Sequence, residues 1–377
     1  MQRALVLPSF PGTPIVHERP VPHDIGDDEI LVKVHSAALN PVEIKMITLP
    51  WAVLSQVARI PGDGTTPLVL GVELAGEVLA VGKDVTHLKV GDHMCGQSSP
   101  ATNDAAGYQE YSRFPAKFAI KVPKELSFDE AATLPVGFST AAGGLYPTAA
   151  AGLTPPWAEG GKGKHAGQAA AVFGGSSVVG QFAIQLLRLS GFSPIIATSS
   201  AQHTDFLTSL GATHVVAHTT PASEITSLAG GTPISATILA ITTLEHINTA
   251  IEVLTANAPS LPAGTSPILN ISRPSTFLQT TTDLAAASPC VPPIQVSIML
   301  GSPYLPRPGI AEFFVEAYAA LQGYLTDGGE NGSGNSILPC RPKVLDGGLE
   351  AVISKDGYGA FASGTVSGVK LVVHPHA

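Results

Sequence analysis

The chain has 377 residues, 44% of them hydrophobic and 13% charged, with a net charge of −9. This length suits two domains, and the apolar content is too high for a disordered chain. The negative charge argues against nucleic acid and anionic membrane as partners, because both repel it.

The opening stretch, MQRALVLPSFPG, carries one arginine and no long apolar run, so no secretory leader is expected. No run of about 18 apolar residues occurs, so no membrane span is expected either. Up to about residue 135 the chain reads as β-rich. ALVLP, EILVKVHSAAL and LAGEVLAVG run β-branched or alternate between the turns PGT, GDDE and VGKD. Cys95, Cys290 and Cys340 stand far apart and form no CxxC pair, which fits a reducing, cytoplasmic location. Tyr146 to Gly167 is rich in Gly, Pro and Lys and reads as a loop.

From Ala169 to about Gly301 the texture changes. AAAVFGG is a buried strand, and VVGQFAIQLLRLSG repeats apolar residues at helical spacing. SPIIATSS, HTDFLTSLG, THVVAH and ATILAIT continue the alternation, which predicts an α/β fold with a doubly wound parallel sheet. Thr326 to Ser336, TDGGENGSGNS, has the composition of a surface insert. GGLEAVISKDGYGAF then reads as helical, and VKLVVHP as a last strand.

The strongest motif is Gly174-Gly175-Ser176-Ser177-Val178-Val179-Gly180. It follows a strand and opens a helix, the context in which backbone N–H groups and the helix dipole hold a pyrophosphate. Glycines let the backbone approach the phosphates, and Gly180 lets the helix pack on the strand. In the G-x-G-x-x-G pattern the middle glycine is replaced by Ser177. A domain preferring NAD should carry Asp or Glu at the end of the second strand. Here that strand ends in Ala197-Thr198-Ser199-Ser200, with His203 close behind. Small hydroxyls leave room for a 2′-phosphate and can donate to it, so NADPH is the expected cofactor. Ser199 and Ser200 could equally cap the next helix.

With these motifs in hand the chain resembles the medium-chain dehydrogenase/reductase superfamily. Leu70-Gly71-Val72-Glu73-Leu74-Ala75-Gly76-Glu77-Val78, Val81-Gly82 and Val90-Gly91-Asp92 look like its GroES-like domain. Leu39-Asn40-Pro41-Val42-Glu43-Ile44-Lys45, Gly107-Tyr108-Gln109-Glu110-Tyr111, Ala131-Ala132-Thr133-Leu134-Pro135 and Ser139-Thr140-Ala141 follow in family order. So do Gly211-Ala212-Thr213-His214-Val215, Gly347-Gly348-Leu349-Glu350-Ala351 and Val366 to Val372. The resemblance implies a GroES-like catalytic domain from residues 1–137 and 302–377 and a Rossmann domain from 138–301. GGSSVVGQFAIQLLRLSG and GGLEAV are most similar to fungal stand-alone enoyl reductases, which act in trans on a polyketide synthase.

In zinc-dependent members a His follows the position of Gly71, and a Cys lies near that of Glu43. Val72 stands in the first place, and no cysteine in the second. The structural-zinc lobe needs four clustered thiolates, but residues 93–107 offer Cys95 alone. A zinc-free enzyme is therefore expected, and without that Lewis acid alcohol oxidation gives way to reduction of an activated C=C.

The resemblance puts Lys45 and Thr140 beside the nicotinamide as catalytic candidates. It gives Pro41, Lys45, Thr140, Ala240, Ile241 and Leu300 to the cofactor site with the phosphate loop, Ser199, Ser200 and His203. His218 stands where the family often stacks a Tyr on adenine. Glu43 is read as structural, and Tyr108, Gln109 and Met46 as possible pocket lining. His87, His165 and His246 are read as surface or packing residues. The apolar strand Ile294 to Leu300 could pair edge to edge in a dimer, yet prolines flank it, and a monomer is favoured.

The function expected is hydride transfer from NADPH to the C=C of an α,β-unsaturated polyketide thioester carried by a synthase. A stand-alone quinone or enone reductase acting on small molecules shares the same motifs. A non-redox NADP-binding partner, cyclase or isomerase is the reading from a different class.

Overall fold

The computed structural model describes residues 1–52, 67–99, 102–263, 265–271, 274–299, 301–326 and 336–377. The chain divides into two compact units, Met1–Val136 with Pro303–Ala377, and Gly137–Ser302. Among the described residues no helix is long and apolar enough to cross a membrane.

The first unit begins with β1 (Gln2–Leu7), β2 (Ile15–Arg19), β3 (Glu29–Ala38) and the helix α1 (Pro41–Thr48). It continues through β4 (Leu68–Val69), β5 (Glu73–Val81), β6 (His93–Gln97), β7 (Tyr111–Pro115), β8 (Ala119–Lys121) and α2 (Phe128–Ala132). In β3 the sequence EILVKVHSAA alternates, so Ile30, Val32 and Val34 turn inward while Lys33 and His35 stay part-exposed. β3 pairs with β5 over most of its length, with a register shift between Val34 and Ser36. That bulge bends the strand.

The second unit opens with α3, which starts at the unit boundary (Pro135–Leu145). There follow β9 (Ala169–Phe173), α4 (Val178–Leu189), β10 (Ile195–Thr198), α5 (Thr204–Leu210), β11 (His214–Val216) and α6 (Ala222–Leu228). β12 (Ile234–Leu239), α7 (Leu244–Asn257), β13 (Ile268–Ile271), α8 (Pro274–Ala287) and β14 (Gln295–Ile298) complete it. The six strands lie in the order β11-β10-β9-β12-β13-β14, and every pairing is parallel. This is the expected doubly wound α/β sheet. β9, β10, β12 and β13 are buried on both faces, which is why they read as continuous apolar runs. One face packs Phe173, Leu239, Leu269 and Ile271 against Ile247, Val253 and Leu254 of α7. On α4, Phe182 is fully buried and meets Phe138 edge-on at 6.3 Å. A Cβ on Gly137 would come within 2.7 Å of the Phe182 ring, so glycine is what lets α3 close on α4. Truncating Phe182 to Ala would cost about 3–5 kcal/mol. Among the described residues β14 ends the sheet and pairs with β13 alone, while Leu300, the last residue of the expected strand, lies outside them.

The chain then returns to the first unit with α9 (Ile310–Thr326), β15 (Pro342–Val344), α10 (Gly348–Val352), α11 (Tyr358–Ala362) and β16 (Lys370–Val373). β16 joins the large sheet beside β3, giving the order β15-β16-β3-β5-β6-β8, with β7 also on β3. β2-β1-β4 form a separate three-stranded sheet. GGLEAVISKDGYGAF is helical, in two short pieces. The break falls at Ser354–Gly357, where Ser354 Oγ accepts the N–H groups of Asp356 and Gly357. Most of the insert TDGGENGSGNS lies outside the described residues.

Candidate functional site

In an open parallel sheet the crevice at the carboxyl ends of the strands, where strand order reverses, is the natural ligand site. Here the reversal falls between β9 and β12. Phe173 ends β9, and Gly174 to Ser177 lead into α4. Gly174 has φ +81°, a conformation that favours glycine. Its N–H donates to Thr198 Oγ1 at 3.0 Å, and the Gly175 N–H to the Thr198 carbonyl at 2.9 Å, so the end of β10 fixes the loop. A Cβ on Gly180 would lie 2.3 Å from the Gly174 carbonyl oxygen. Ser177, in place of the motif's middle glycine, needs no special backbone. It sits at φ −66°, and its Oγ caps α4 by accepting the Gly180 N–H at 3.1 Å. Ser176 is buried, and Gln181 Nε2 donates to its carbonyl at 2.8 Å. The first-turn N–H groups at Val178 and Val179 have no carbonyl four residues back within the helix, which leaves the loop with anion-binding character.

Beyond Thr198, Ser199 is 2% exposed, and its Oγ has no hydrogen-bond partner among the described residues. A buried hydroxyl without a partner costs about 1–3 kcal/mol, so it marks a place where a ligand oxygen would be welcome. Ser200 is exposed and starts the short 3₁₀ turn Ala201–His203 without a side-chain cap bond. His203 is buried. His218 follows β11 with Nδ1 3.4 Å from Thr198 Oγ1, and its ring is 6.1 Å from that of His246. Burial, with the nearby His246, holds the His218 imidazole below its usual range. His246 is a packing residue whose Nδ1–H donates to the Ile241 carbonyl at 2.9 Å.

After β12 the chain folds back, and the N–H groups of Ala240 and Ile241 both donate to the Phe173 carbonyl, at 3.0 and 3.2 Å. Ile241 is thereby laid beside Gly174, yet 43% exposed. An exposed isoleucine beside a glycine-rich loop is a surface suited to a planar apolar ligand. Thr140 lies on α3, and Gly301 crosses so close that a Cβ there would be 2.1 Å from the Thr140 backbone nitrogen. The Gly174–Gly180 loop, Ser199, His218, Ala240 and Ile241 thus gather at the carboxyl ends of β9, β10, β11 and β12. Neither Thr198, named above only as part of the strand end, nor Gly301 is among the expected site residues. Thr198 had a signal, a hydroxyl at the last position of a buried strand. Gly301 had none.

The residues fit a dinucleotide. The loop offers backbone donors, the Ser199 hydroxyl is orphaned, and the glycines stand where a Cβ would clash.

In the first unit α1 starts with Pro41, whose missing N–H costs nothing there, and carries the exposed Lys45. Glu43, on the same helix, is fully buried. It accepts the N–H groups of Asn40 at 2.9 Å and Val72 at 3.0 Å and the Tyr108 hydroxyl at 2.7 Å. Tyr108, Gln109 and Met46 do not line an open pocket. All three are buried inside this unit, where the Tyr108 hydroxyl serves Glu43 and the Gln109 amide serves the carbonyls of Asn103, Asp104 and Ala106. Zinc does not fit at Asn40, Glu43 and Val72, because Val72 offers no donor atom and both Glu43 oxygens are engaged. Among the described residues no group of three or more His, Cys, Asp or Glu is arranged to hold a metal ion.

Two family models match the chain: an alcohol dehydrogenase GroES-like domain over residues 26–124 and a zinc-binding dehydrogenase domain over 178–282. The enoyl reductase component lovC of the lovastatin nonaketide synthase of Aspergillus terreus is 35% identical over 200 residues, 52% of this chain and 50% of that protein. The trans-enoyl reductase opdC of Penicillium oxalicum is 34% identical over 219 residues, 56% of each. The matched stretch spans about half the length of these curated relatives. Among solved structures, the CurK enoyl reductase superposes with a TM-score of 0.69 over 99% of both chains at 21% identity, a likeness of fold.

Proposed function

The chain belongs to the medium-chain dehydrogenase/reductase superfamily, whose members work with a nicotinamide dinucleotide, and on that footing we propose that it is an NADPH-dependent, zinc-independent enoyl reductase. Its substrate is an α,β-unsaturated polyketide thioester, presented in trans by a polyketide synthase. The observation that carries this reading is the interlock of Glu43 with the Val72 N–H, where zinc-dependent members bind their metal. A site without that Lewis acid suits C=C reduction better than alcohol oxidation. The names borne by the lovC and opdC relatives support the substrate class.

When bound, NADPH would supply a hydride to the β-carbon of the substrate, with a solvent proton completing the reduction at the α-carbon. Gly174 to Gly180 would hold the pyrophosphate through backbone N–H groups, and Ser199 and Ser200 would donate to the 2′-phosphate. Ala240 and Ile241 would cover the nucleotide with apolar surface, and His218 would serve the adenine. Charge builds on the thioester oxygen as the β-carbon is reduced, and preorganised donors are the means of meeting it. Lys45 supplies an ammonium and Thr140 a hydroxyl for that purpose.

The test is NADPH consumption, followed by absorbance, with crotonyl and longer enoyl thioesters set against a quinone. Faster turnover of the thioesters supports the reading. Preference for the quinone points to a small-molecule reductase. Cofactor binding without consumption by any of these points to a non-redox role.

A further inference from the structure

The interior of the first unit holds a polar network that the proposed reaction leaves unused. Glu73 is fully buried, pairs with Lys370, and accepts Asn40 Nδ2 at 2.9 Å and the Val136 N–H at 2.8 Å. Lys370, 3% exposed, also donates to Asn40 Oδ1 at 2.6 Å. Within this network, among the described residues, two carboxyls, Glu43 and Glu73, share one ammonium, and the ammonium sits on Glu73. Among the described residues Glu43 has no ion-pair partner. Its donors are the Asn40 and Val72 N–H groups and the hydroxyls of Tyr108 and, at 3.4 Å, Tyr358.

Tyr108 Oη lies 2.7 Å from Glu43 Oε2 and 3.2 Å from the Ala38 carbonyl. With a carboxylate, Tyr108 donates to Glu43. With a carboxylic acid, Glu43 donates to Tyr108 Oη, and the phenol turns its hydrogen to Ala38. In both arrangements the Glu43 proton and the Tyr108 hydroxyl hydrogen have an acceptor, so a proton can enter or leave without stranding either. They differ in strength. Hydrogen bonds to a charged acceptor are roughly twice as strong as neutral ones. Two of the N–H groups concerned belong to Asn40, which starts α1, and to Val72. Lys45 stands two residues beyond Glu43 on the same short helix.

We propose that Glu43 is a positioning residue, whose carboxylate fastens the start of α1, and so Lys45, more tightly than its acid form does, Tyr108 taking up the proton's hydrogen bond. The inference rests on the reading that Lys45 works at the reacting end. The groups facing Glu43 are Tyr108 from the segment before β7, Tyr358 from α11, Lys370 from β16 and, through Asn40, Glu73 from β5, with Lys45 on its own helix. Burial pushes both phenols well above their usual range, and Cys340, beside Glu73 and Lys370, up to about 12. Burial also pushes the Glu43 carboxyl up to about 7, against the pull of its hydrogen bonds. Turnover should therefore rise with pH through about 7.

The experiment compares wild type, Glu43→Gln, Glu43→Asp and Tyr108→Phe by infrared difference spectroscopy and by the pH profile of kcat with crotonyl thioester. Wild type should show a carboxylic-acid C=O band that titrates near neutrality and is missing in Glu43→Gln. Glu43→Gln should lose the pH limb and turn over about 10- to 100-fold more slowly at high pH, and Glu43→Asp should restore a limb. Tyr108→Phe removes a donor to the carboxylate and should move the limb upward by on the order of one pH unit. A band that does not titrate, or a wild-type limb in Glu43→Gln, overturns the proposal. If Glu43→Gln fails to fold, an unmoved limb in Tyr108→Phe overturns it. If wild type reduces no enoyl thioester, the reading of function fails by itself. The acylation rate of Lys45, followed by mass spectrometry, then replaces turnover, and a pH dependence shared by wild type and Tyr108→Phe overturns the positioning role.

Discussion

The side chain of Ile241 lies directly against Gly174: a Cβ on that glycine would come within 2.7 Å of Ile241 Cγ1. The glycine also holds φ +81°. Gly174→Ala should therefore meet a steric and a conformational penalty together, the latter about 1–2 kcal/mol. The melting temperature should fall and nucleotide binding with it. Adding Ile241→Ala should relieve the clash and recover part of the loss, with the backbone penalty remaining. Full recovery, read by thermal unfolding, would show that the conformation carries no cost.

The end of β10 offers hydroxyls and no carboxylate at Ser199 and Ser200. NADPH should bind more tightly than NADH, and Ser200→Asp should reverse the order, because a carboxylate repels the 2′-phosphate and accepts from a 2′-hydroxyl. Titration of intrinsic fluorescence measures both. Equal affinities in wild type would sink this reading of the second strand.

Losing one donor at a developing oxyanion typically lowers turnover by about 10²-fold. Lys45→Ala and Thr140→Val should each reduce kcat on that scale while NADPH binding changes less. Steady-state kinetics beside a binding titration separates the two effects. Wild-type turnover in both variants would remove these residues from the site.

Purified protein should carry no stoichiometric zinc by elemental analysis, and chelators should leave turnover intact. The reason lies in the Glu43 oxygens, which are occupied by the Asn40 and Val72 N–H groups and Tyr108. One zinc per chain with chelator-sensitive activity would contradict this.

Glu43 also predicts a dependence of stability on pH. Its folded-state pKa of about 7 lies above the ordinary value of 4.5, so between these values the folded protein holds a proton that the unfolded chain has lost. The associated stability is fully present below the unfolded pKa and is lost as pH rises through the folded one. Glu43→Gln has no such proton. Relative to wild type it should gain on the order of 3 kcal/mol between about pH 4.5 and pH 8. Urea unfolding at several pH values tests this. A constant difference between the two proteins would mean that Glu43 does not titrate in this range.

What was legible in the sequence was local. The Gly174–Gly180 loop announced itself because strand, loop and helix are contiguous, and α4 because its apolar residues recur at helical spacing. The interior of the first unit was not legible. Glu43 meets Tyr108, 65 residues away, and Tyr358, 315 residues away, and no periodicity ties them together. Tyr108 looked like pocket lining because a tyrosine in a family motif can face either way; the buried carboxylate that turns it inward is visible only in three dimensions. Gly301 is similar. A lone glycine between proline-rich stretches says nothing of the Thr140 backbone it must pass.

The large sheet of the first unit takes β16 from residues 370–373 and places it beside β3, and Lys370 on that strand is the partner of Glu73. The second unit is one unbroken stretch of chain, with all six of its strands made by Ile298. During synthesis the two units therefore cannot mature in the order in which they begin. The second can fold while the first still waits, with Glu73 unneutralised and the β16 side of β3 unpaired, until residues 370–373 emerge. Partly made chains should expose the first unit to chaperones and proteases for longer than the second.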